Sequence, residues 1–423
     1  MSFNLIDSSS KVSVTSALNV FETRPTNVSV TNSTYHELLP LNPVTMPPYQ
    51  FKIAASEHWI DLSKSYLTVV FSLKKKDKDG KWVSVTDDDN VSPIQALGTT
   101  FIKNLRVSVN QREIFNANAL YSYKSIIDYE LSTTKDVKDT YLQSCGYYND
   151  TNDRKKLFVL NKKVGFLTRI LADIFNQPLY FMNHADIEIE VIPNDANFNL
   201  IGAKDTSYQL NTESIKMYVK TVNLMDKLAL DIDNRLQSHV AKYAVVRSEL
   251  KSQFLSEGRY EYVSTLFTEQ IPQRIVIAFV KHHNFIGTID TDPFEFQHHN
   301  IKNISVQANS KYYPNSAYEA NWSQHEFTRI FHDMYENCGF VNTSMGITVD
   351  SFKQNKCFFV FNLTNDMEID DTFDLIKHGT TSINVRFSDP IVKGGLTMII
   401  YGEFPGLLCI DKNRVVTSDL SIV

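Results

Sequence analysis

Two histidine pairs are the residues of this chain best suited to metal chemistry. His282-His283 and His298-His299 flank Asp290 and Asp292, and imidazole and carboxylate groups are common ligands of divalent ions. A metal site needs three or four such ligands that converge on one point. Neighbouring residues of a strand point to opposite faces, so each pair could give only one ligand to a site. We therefore predict surface or interface histidines here rather than a metal site.

Nucleophilic and acid-base chemistry find equally little support. Cys338 is close in sequence to His325 and His332, but His332 lies six positions earlier in the same predicted helix, on another face. The carboxylate pair Asp370-Asp371 stands in a polar loop that does not distinguish an acid from a base. Phosphate-binding glycine loops and the GxSxG motif are missing from the sequence. We predict no catalytic, cofactor-binding or metal-binding residues, and no enzyme.

Composition excludes several classes of protein. The 423 residues carry a net charge of −6, which argues against direct, sequence-specific binding of nucleic acid. The longest apolar run, 275–280, is far shorter than the ~20 residues that span a membrane. The first residues lack the basic and apolar regions of a signal peptide, and four scattered cysteines without a CxxC pair favour a reducing compartment. We therefore expect a protein that is not secreted and has no transmembrane segment.

The elements that would position any site are predicted to be mostly strands. Apolar and polar residues alternate at 67–73, 105–110, 187–191 and 383–387, whereas 275–280 is apolar throughout and predicts a strand buried on both faces. The lysine-rich segment that follows the first of these runs predicts an exposed hairpin tip. Turn-rich clusters separate the runs, which is typical of a sandwich or a jelly roll.

An internal repeat indicates two similar β domains in tandem. Ile102-Lys103-Asn104 and the alternating residues after it can be aligned with Ile301-Lys302-Asn303 and its continuation. In both copies an aromatic-rich helical stripe follows, at 121–131 and at 327–338. A third stripe at 225–236 lies near the boundary between the two predicted domains. The predicted domains are 49–210 and 211–423, after an N-terminal arm at 1–48.

Several segments resemble one known family. Residues 48–53 and 59–67 are similar to the opening strands of the major capsid (hexon) proteins of Polinton/Maverick elements and adintoviruses, as is 101–111 with the helix start at Tyr121. The second half of the sequence contains five further matching segments. These are 271–280, 285–287, 292–296, 361–364 and 401–404. The resemblance runs from about residue 35 to the C-terminus.

The resemblance implies both a fold and a role. The fold would be all-β, with two tandem eight-stranded antiparallel jelly rolls and short helices in the loops. Three chains would form a pseudo-hexameric capsomer, and such homotrimers would tile an icosahedral shell around double-stranded DNA. Partners would be neighbouring capsomers, penton and other minor capsid proteins. The protein would reside in the virion capsid after assembly in the host cytoplasm or nucleus.

The sequence is also compatible with three other functions. The chain could be a minor capsid or spike component, a cellular glycan- or ligand-binding β-sandwich protein, or a metal-dependent hydrolase that uses the histidine pairs. An obligate trimer would favour the capsid readings, and bound metal with turnover would favour the hydrolase.

The arm at 1–48 has two interpretations. It is rich in Ser, Thr and Asn and ends in a proline-rich segment at 40–48, so it could be a disordered tail. It also carries spaced apolar residues that could add a strand to an exposed sheet edge in an assembled shell. These are Val12, Val14, Leu18, Val20, Phe21, Val28 and Val30.

Overall fold

Antiparallel strands form the framework of both halves of the chain in the computed structural model. The structure describes residues 7, 9–11, 13–21, 23–204, 206–365 and 374–418. Val12 of the predicted arm and the Asp370-Asp371 pair lie outside the described residues.

The described part of the first half contains eleven strands. They are β1 (Val30–Leu38), β2 (Tyr49–Ile53), β3 (Trp59–Lys76), β4 (Trp82–Ser84), β5 (Val91–Pro93), β6 (Ile102–Val109), β7 (Arg112–Asn116), β8 (Val164–Arg169), β9 (Ile187–Pro193), β10 (Leu200–Gly202) and β11 (Tyr208–Leu224).

The second half contains nine strands within the described residues. They are β12 (Ala241–Leu255), β13 (Glu261–Phe267), β14 (Arg274–Lys281), β15 (Ile301–Ala308), β16 (Lys311–Glu319), β17 (Phe358–Asn362), β18 (Thr381–Phe387), β19 (Leu396–Ile410) and β20 (Val416–Ser418).

Helices occupy the connections between strands, and none in the described ranges is long and apolar enough to cross a membrane. The α-helices are α1 (Leu97–Thr100), α2 (Tyr121–Ser132), α3 (Lys135–Lys138), α4 (Thr151–Leu160), α5 (Ala196–Asn199), α6 (Asp226–Leu236), α7 (His282–Ile286), α8 (Thr328–Asn337) and α9 (Val349–Gln354). Short 3₁₀ turns lie at Ser16–Leu18, Tyr141–Cys145 and Asp173–Phe175.

The two halves have the same strand order. In the first half, sheet I is β1-β11-β3-β8 and sheet II is β2-β9-β6-β7. In the second half, sheet III is β12-β19-β14-β17 and sheet IV is β13-β18-β15-β16. If the eight main strands of each half are counted along the chain, both halves follow the orders 1-8-3-6 and 2-7-4-5. The chain is therefore an all-β double jelly roll, as the sequence predicts.

The pairing of β1 and β11 shifts both predicted domain boundaries. β1 pairs antiparallel with β11 from Leu38 opposite Met217 to Val30 opposite Leu224, so 30–38 is the first strand of the first jelly roll and not part of an arm. β11 crosses the predicted boundary between residues 210 and 211 and pairs with β3 over most of its length. We therefore place the first jelly roll at 30–224, with α6 as the connection to the second.

Most of the predicted elements occupy their predicted positions. The alternating runs form β3, β6, β9 and β18, and the three helical stripes form α2, α6 and α8. The lysine-rich turn joins β3 to β4, with Lys76 opposite Trp82. The repeated Ile-Lys-Asn segments start β6 and β15, which are the fourth main strands of their halves.

Sheet III is buried on both faces at its centre. The exposed fraction of each side chain at 275–280 is at most 1%, and every residue of β17 is buried. Phe279 faces the interior of the second jelly roll. The centroid of its ring lies 6.0 Å from that of Phe359 and 6.3 Å from that of Phe387 in sheet IV. The other face of the sheet is covered from outside the second jelly roll.

Truncation of Phe279 tests the core assignment. We expect Phe279→Ala to lower the free energy of unfolding by about 3–5 kcal/mol, because the packed interior leaves a cavity where the ring was. Val263→Ala on the exposed face of β13, where the side chain is 63% exposed, is the control and should change stability by less than about 1 kcal/mol. Urea denaturation followed by fluorescence measures both. Equal stability of Phe279→Ala and wild type would contradict the assignment.

Candidate assembly site at the junction of the two jelly rolls

The first jelly roll covers the outer face of sheet III, and this contact is defined here as the junction. It is formed by α2 and by the turn Asp173–Phe175 of the first half, which pack against sheet III and the β14–β15 loop of the second half. Ten of the twelve residues of α2 are buried. The helix is therefore enclosed between two domains.

Aromatic rings form the centre of the junction. Tyr123 of α2 stacks on Phe285 with ring centroids 5.4 Å apart and meets the edges of Phe294 at 5.6 Å and Phe296 at 6.4 Å. Such ring pairs contribute about 0.5–1.5 kcal/mol each beyond the burial of apolar area. The β14–β15 loop thereby holds the N-terminal turn of α2 against the second half.

Glu130 links three elements at the other end of α2. Its Oε1 lies 2.9 Å from Nζ of Lys356 in the second half and accepts a hydrogen bond of 2.6 Å from the hydroxyl of Tyr147. Its Oε2 lies 3.0 Å from Nζ of Lys138. Lys138 also donates to the backbone oxygens of Glu130 and of Met345, the latter across the junction at 2.6 Å. The carboxylate is thus shared by two lysines.

The charge state of this cluster follows from its surroundings. Burial alone would raise the pKa of Glu130, but the ammonium groups of Lys356 and Lys138 outweigh it and hold the pKa at about 2. Burial lowers the pKa of Lys138, yet its ammonium group donates to three oxygens. The cluster therefore places one ionised carboxylate between two lysine side chains.

A second set of charges lies between α2 and sheet III. Arg274 of β14 makes a bidentate ion pair with Glu403 of β19, at 2.7 and 2.6 Å. Nζ of Lys124 lies 2.6 Å from Asp128 and 5.6 Å from the centre of the Tyr401 ring. Each buried charge has an opposite partner, as the cost of desolvation requires.

Asp173 caps the free edge of β12. Its carboxylate accepts hydrogen bonds from the backbone N–H of Ser248 at 3.0 Å and from the Ser248 hydroxyl at 2.5 Å. Burial raises the pKa of Asp173 to about 6, although Lys124 and Ser248 partly oppose this. The first jelly roll thus supplies an acceptor to an unpaired N–H of the second.

A cleft of about 890 Å³ opens beside the junction, lined by Lys124, Asp128, Arg274 and Glu403 among others. Cys145 also lines it, but burial raises the pKa of the thiol to about 11. A protonated thiol is a poor nucleophile. The charged groups of the cleft are engaged in ion pairs, Lys124 with Asp128 and Arg274 with Glu403.

The histidine pairs that the sequence singles out both lie in the connection between β14 and β15. His282 and His283 begin α7, which corrects the expectation that they lie on a strand, and they bond to Thr397 and Thr288, each at 2.9 Å. The ring of His298 stacks on that of Trp322 with centroids 4.0 Å apart, and burial lowers the pKa of His298 to about 4. Within the described ranges no three His, Cys, Asp or Glu residues are placed to hold a metal ion.

Of the candidates, the structure brings His283 and Asp290 together, with Nε2 and Oδ1 3.8 Å apart. The side chain of His332 is 63% exposed and lies beside Glu336 on α8. Cys338 ends that helix, and burial raises the pKa of its thiol to about 11. Asp292 accepts the backbone N–H of Phe294, and Asp290 pairs with Lys204 at 2.8 Å.

The sequence patterns did not indicate the charged residues of the junction. Lys124, Asp128 and Glu130 stand inside a helix whose other residues are aromatic, aliphatic or serine, and Arg274 directly precedes the apolar run of β14. Charges inserted in such runs are the one signal that could have marked them, because buried charges need partners. Lys124 and Asp128 pair within the helix, but Glu130 with Lys356 and Arg274 with Glu403 are far apart in sequence, so the pattern alone could not pair them.

Comparison with known proteins gives a distant relative and a clear fold. No family model matches the chain. A protein of Caenorhabditis elegans described as uncharacterised is 23% identical over 395 residues, which cover 88% of this chain and 93% of that protein.

Three solved structures from viruses are similar over nearly the whole length. A chain of the Sputnik virophage matches with a TM-score of 0.66 and 12% identity, covering 100% of this chain and 95% of that one. The major capsid protein of Faustovirus matches at 0.60 and 10%, covering 92% of each. That of mavirus matches at 0.55 and 11%, covering 100% of this chain and 97% of that one. With the strand orders above, these likenesses show the double jelly-roll fold.

Glu130→Gln tests the junction cluster. We expect a loss of about 3–5 kcal/mol at pH 7, because Lys138 and Lys356 stay buried without a carboxylate. The pKa of Glu130 is lowered from 4.5 to about 2, so its stabilisation is complete above pH 4.5 and is lost as the pH falls towards 2. The difference between wild type and variant should therefore be constant from pH 5 to 8 and shrink at pH 3, as measured by urea denaturation.

Asp153→Asn is the matched control, since it removes a carboxylate from the exposed ion pair with Lys156. It should cost at most about 1 kcal/mol. If Glu130→Gln costs no more than this control, the cluster does not hold the junction.

Proposed function

We propose that the chain is the major structural subunit of a viral capsid. The observation that carries this proposal is the double jelly roll that extends from β1 to β19 and resembles capsid chains along the whole of both molecules. The junction supports it, because its charges are paired for cohesion rather than left available for chemistry. The protein would act by assembling and would need no catalytic residue or cofactor.

Three chains would form the capsomer. Two similar domains in each chain would give six similar wedges around one axis, so that a three-fold assembly could tile a hexagonal lattice. Capsomers would contact each other and the penton and minor capsid proteins, and together they would enclose double-stranded DNA. Obligate interfaces of this kind often bury about 2,000 Å² or more.

The finer family assignment is also part of the proposal. The sequence resembles hexon proteins of Polinton/Maverick elements and adintoviruses, and the relative in an animal, Caenorhabditis elegans, supports an element that resides in animal genomes. The capsid would assemble in the host cytoplasm or nucleus.

The mass of the purified chain in solution tests the proposal. We expect size-exclusion chromatography with light scattering to give about three times the chain mass of 48.5 kDa, and electron microscopy to show particles with a pseudo-hexagonal outline. A chain that stays monomeric at micromolar concentrations, with no larger species, would contradict a capsid function.

The segment before β1 gives a further test. Its described residues up to Val28 are exposed, including Phe21 at 96% and Val20 at 75%, so this part makes little contact with its own jelly roll. We propose that it orders against a neighbouring subunit in the shell, since ordering costs about 1–2 kcal/mol per residue and needs compensating contacts.

Deletion of residues 1–28 should therefore leave the trimer and its melting temperature unchanged and impair shell assembly. Thermal melting and electron microscopy of the deleted protein are compared with full length. Normal shells from the deleted protein would exclude this role, and loss of the trimer would place the segment in the trimer contact instead.

A further inference from the structure

The outer faces of sheets I and III present the same row of residues across four strands. In sheet III, Ser248 is opposite Glu403, which is opposite Arg274, which is opposite Asn362. In sheet I, Glu37 is opposite Tyr218, which is opposite Tyr66, which is opposite Arg169. Both rows cross the main strands in the order 1-8-3-6 and end at the last residue of the sixth strand. The two rows are structurally equivalent.

The two equivalent rows differ in what covers them. The row of sheet III contacts the first jelly roll through Lys124 and Asp173, so its ion pair lies with side chains only 12% and 15% exposed. The row of sheet I ends at Arg169, which lies over the Tyr141 ring of the same half at 5.5 Å, but its other residues have no such cover in the described chain. Its ion pair between Glu37 and Lys216 has side chains 42% and 37% exposed, and Tyr35 beside it is 50% exposed.

Aromatic rings make the uncovered face of sheet I suitable for a protein contact. Tyr66 stacks on Tyr218 with centroids 5.1 Å apart, and Tyr35 lies 5.7 Å from Tyr66. The Tyr218 hydroxyl donates to Glu37 at 2.7 Å. Tyrosine is enriched in protein interfaces because it combines a large apolar ring with a polar group.

Helix α8 is the equivalent, in the second half, of the helix α2 that covers sheet III. In the described chain, α8 is not covered by another domain either. α2 and α8 both connect the fifth and sixth main strands, start beside the fourth strand and reach the sixth. α2 has ten of twelve residues buried, but α8 has only three of ten. The free side of α8 carries Arg329, His332 and Glu336, whose side chains are each more than half exposed.

Charges on the two uncovered surfaces are complementary. On sheet I, Lys64, Arg169 and Lys216 stand with the carboxylate of Glu37, while Lys220 is paired with Asp61 and Lys163 with Glu213. Around α8, three carboxylates stand against Arg329; they are Glu326, Asp333 and Glu336. One surface is therefore basic with exposed tyrosines, and the other is acidic.

We infer that the outer face of sheet I receives the α8 surface of a second copy of this chain, in the way that sheet III receives α2 within the chain. The contact is head-to-tail, since one copy presents sheet I and the next presents α8, and repetition of such a contact closes into a ring. It rests on the proposed function and specifies which surfaces of the capsomer meet. Within the chain the contact uses paired charges, and between chains it uses tyrosines with opposite charges on each side.

Charge reversal tests the pairing of the two surfaces. Lys64→Glu with Lys216→Glu should make sheet I acidic, and Glu326→Lys with Glu336→Lys should make the α8 surface basic. Each double variant should raise the trimer dissociation constant at least about tenfold, as measured by light scattering over a dilution series. The quadruple variant restores opposite charges and should recover most of the affinity.

A matched control is Lys302→Glu with Arg386→Glu, which reverses two exposed basic residues on sheet IV. It should leave the trimer intact, and circular dichroism should show that all variants are folded. A monomeric wild type would overturn the proposed function itself. A wild-type trimer that both double variants retain would overturn only the surface assignment, and loss of the trimer without recovery in the quadruple variant would show that the two surfaces do not face each other.

Discussion

The structure depends on the burial of sheet III on both faces. β14 and β17 present apolar residues to both sides, and such strands are stable only when both faces are kept from water. The second jelly roll covers one face with its own sheet IV, and α2 with the turn at Asp173–Phe175 covers the other. The first half is therefore structurally necessary for the second, although each has a complete set of eight strands.

Paired charges position the two halves without weakening the junction. The centre of the contact is aromatic, around Tyr123, and such a surface alone would allow several similar packings. Glu130 fixes one of them, because a single carboxylate must reach Lys138 and Lys356 at the same time. Charges of this kind add little net stability relative to apolar packing, but removal of one partner is costly.

Sequence patterns predicted the elements whose surroundings are simple. The apolar run at 275–280 is β14, the stripe at 327–338 is α8, and the repeated Ile-Lys-Asn segments open equivalent strands. β1 could not be predicted, because seven of its nine residues are exposed and no alternation marks one face. Its partner β11 is also distant in sequence, so only the folded chain shows that 30–38 closes the first jelly roll. The same separation hid the ion pair of Glu130 with Lys356.

The two-sided burial of sheet III also fixes an order of events during synthesis. The ribosome releases the N-terminal half first, and sheet I of that half has polar and charged residues on its outer face, so it can fold while the rest of the chain is still being made. When β12 to β19 emerge, the surface that must cover them is already present in the same molecule. A chain with its halves in the reverse order would expose the apolar face of β14 to other nascent chains until its cover was translated. The linear order of the two jelly rolls thus protects the nascent chain from aggregation.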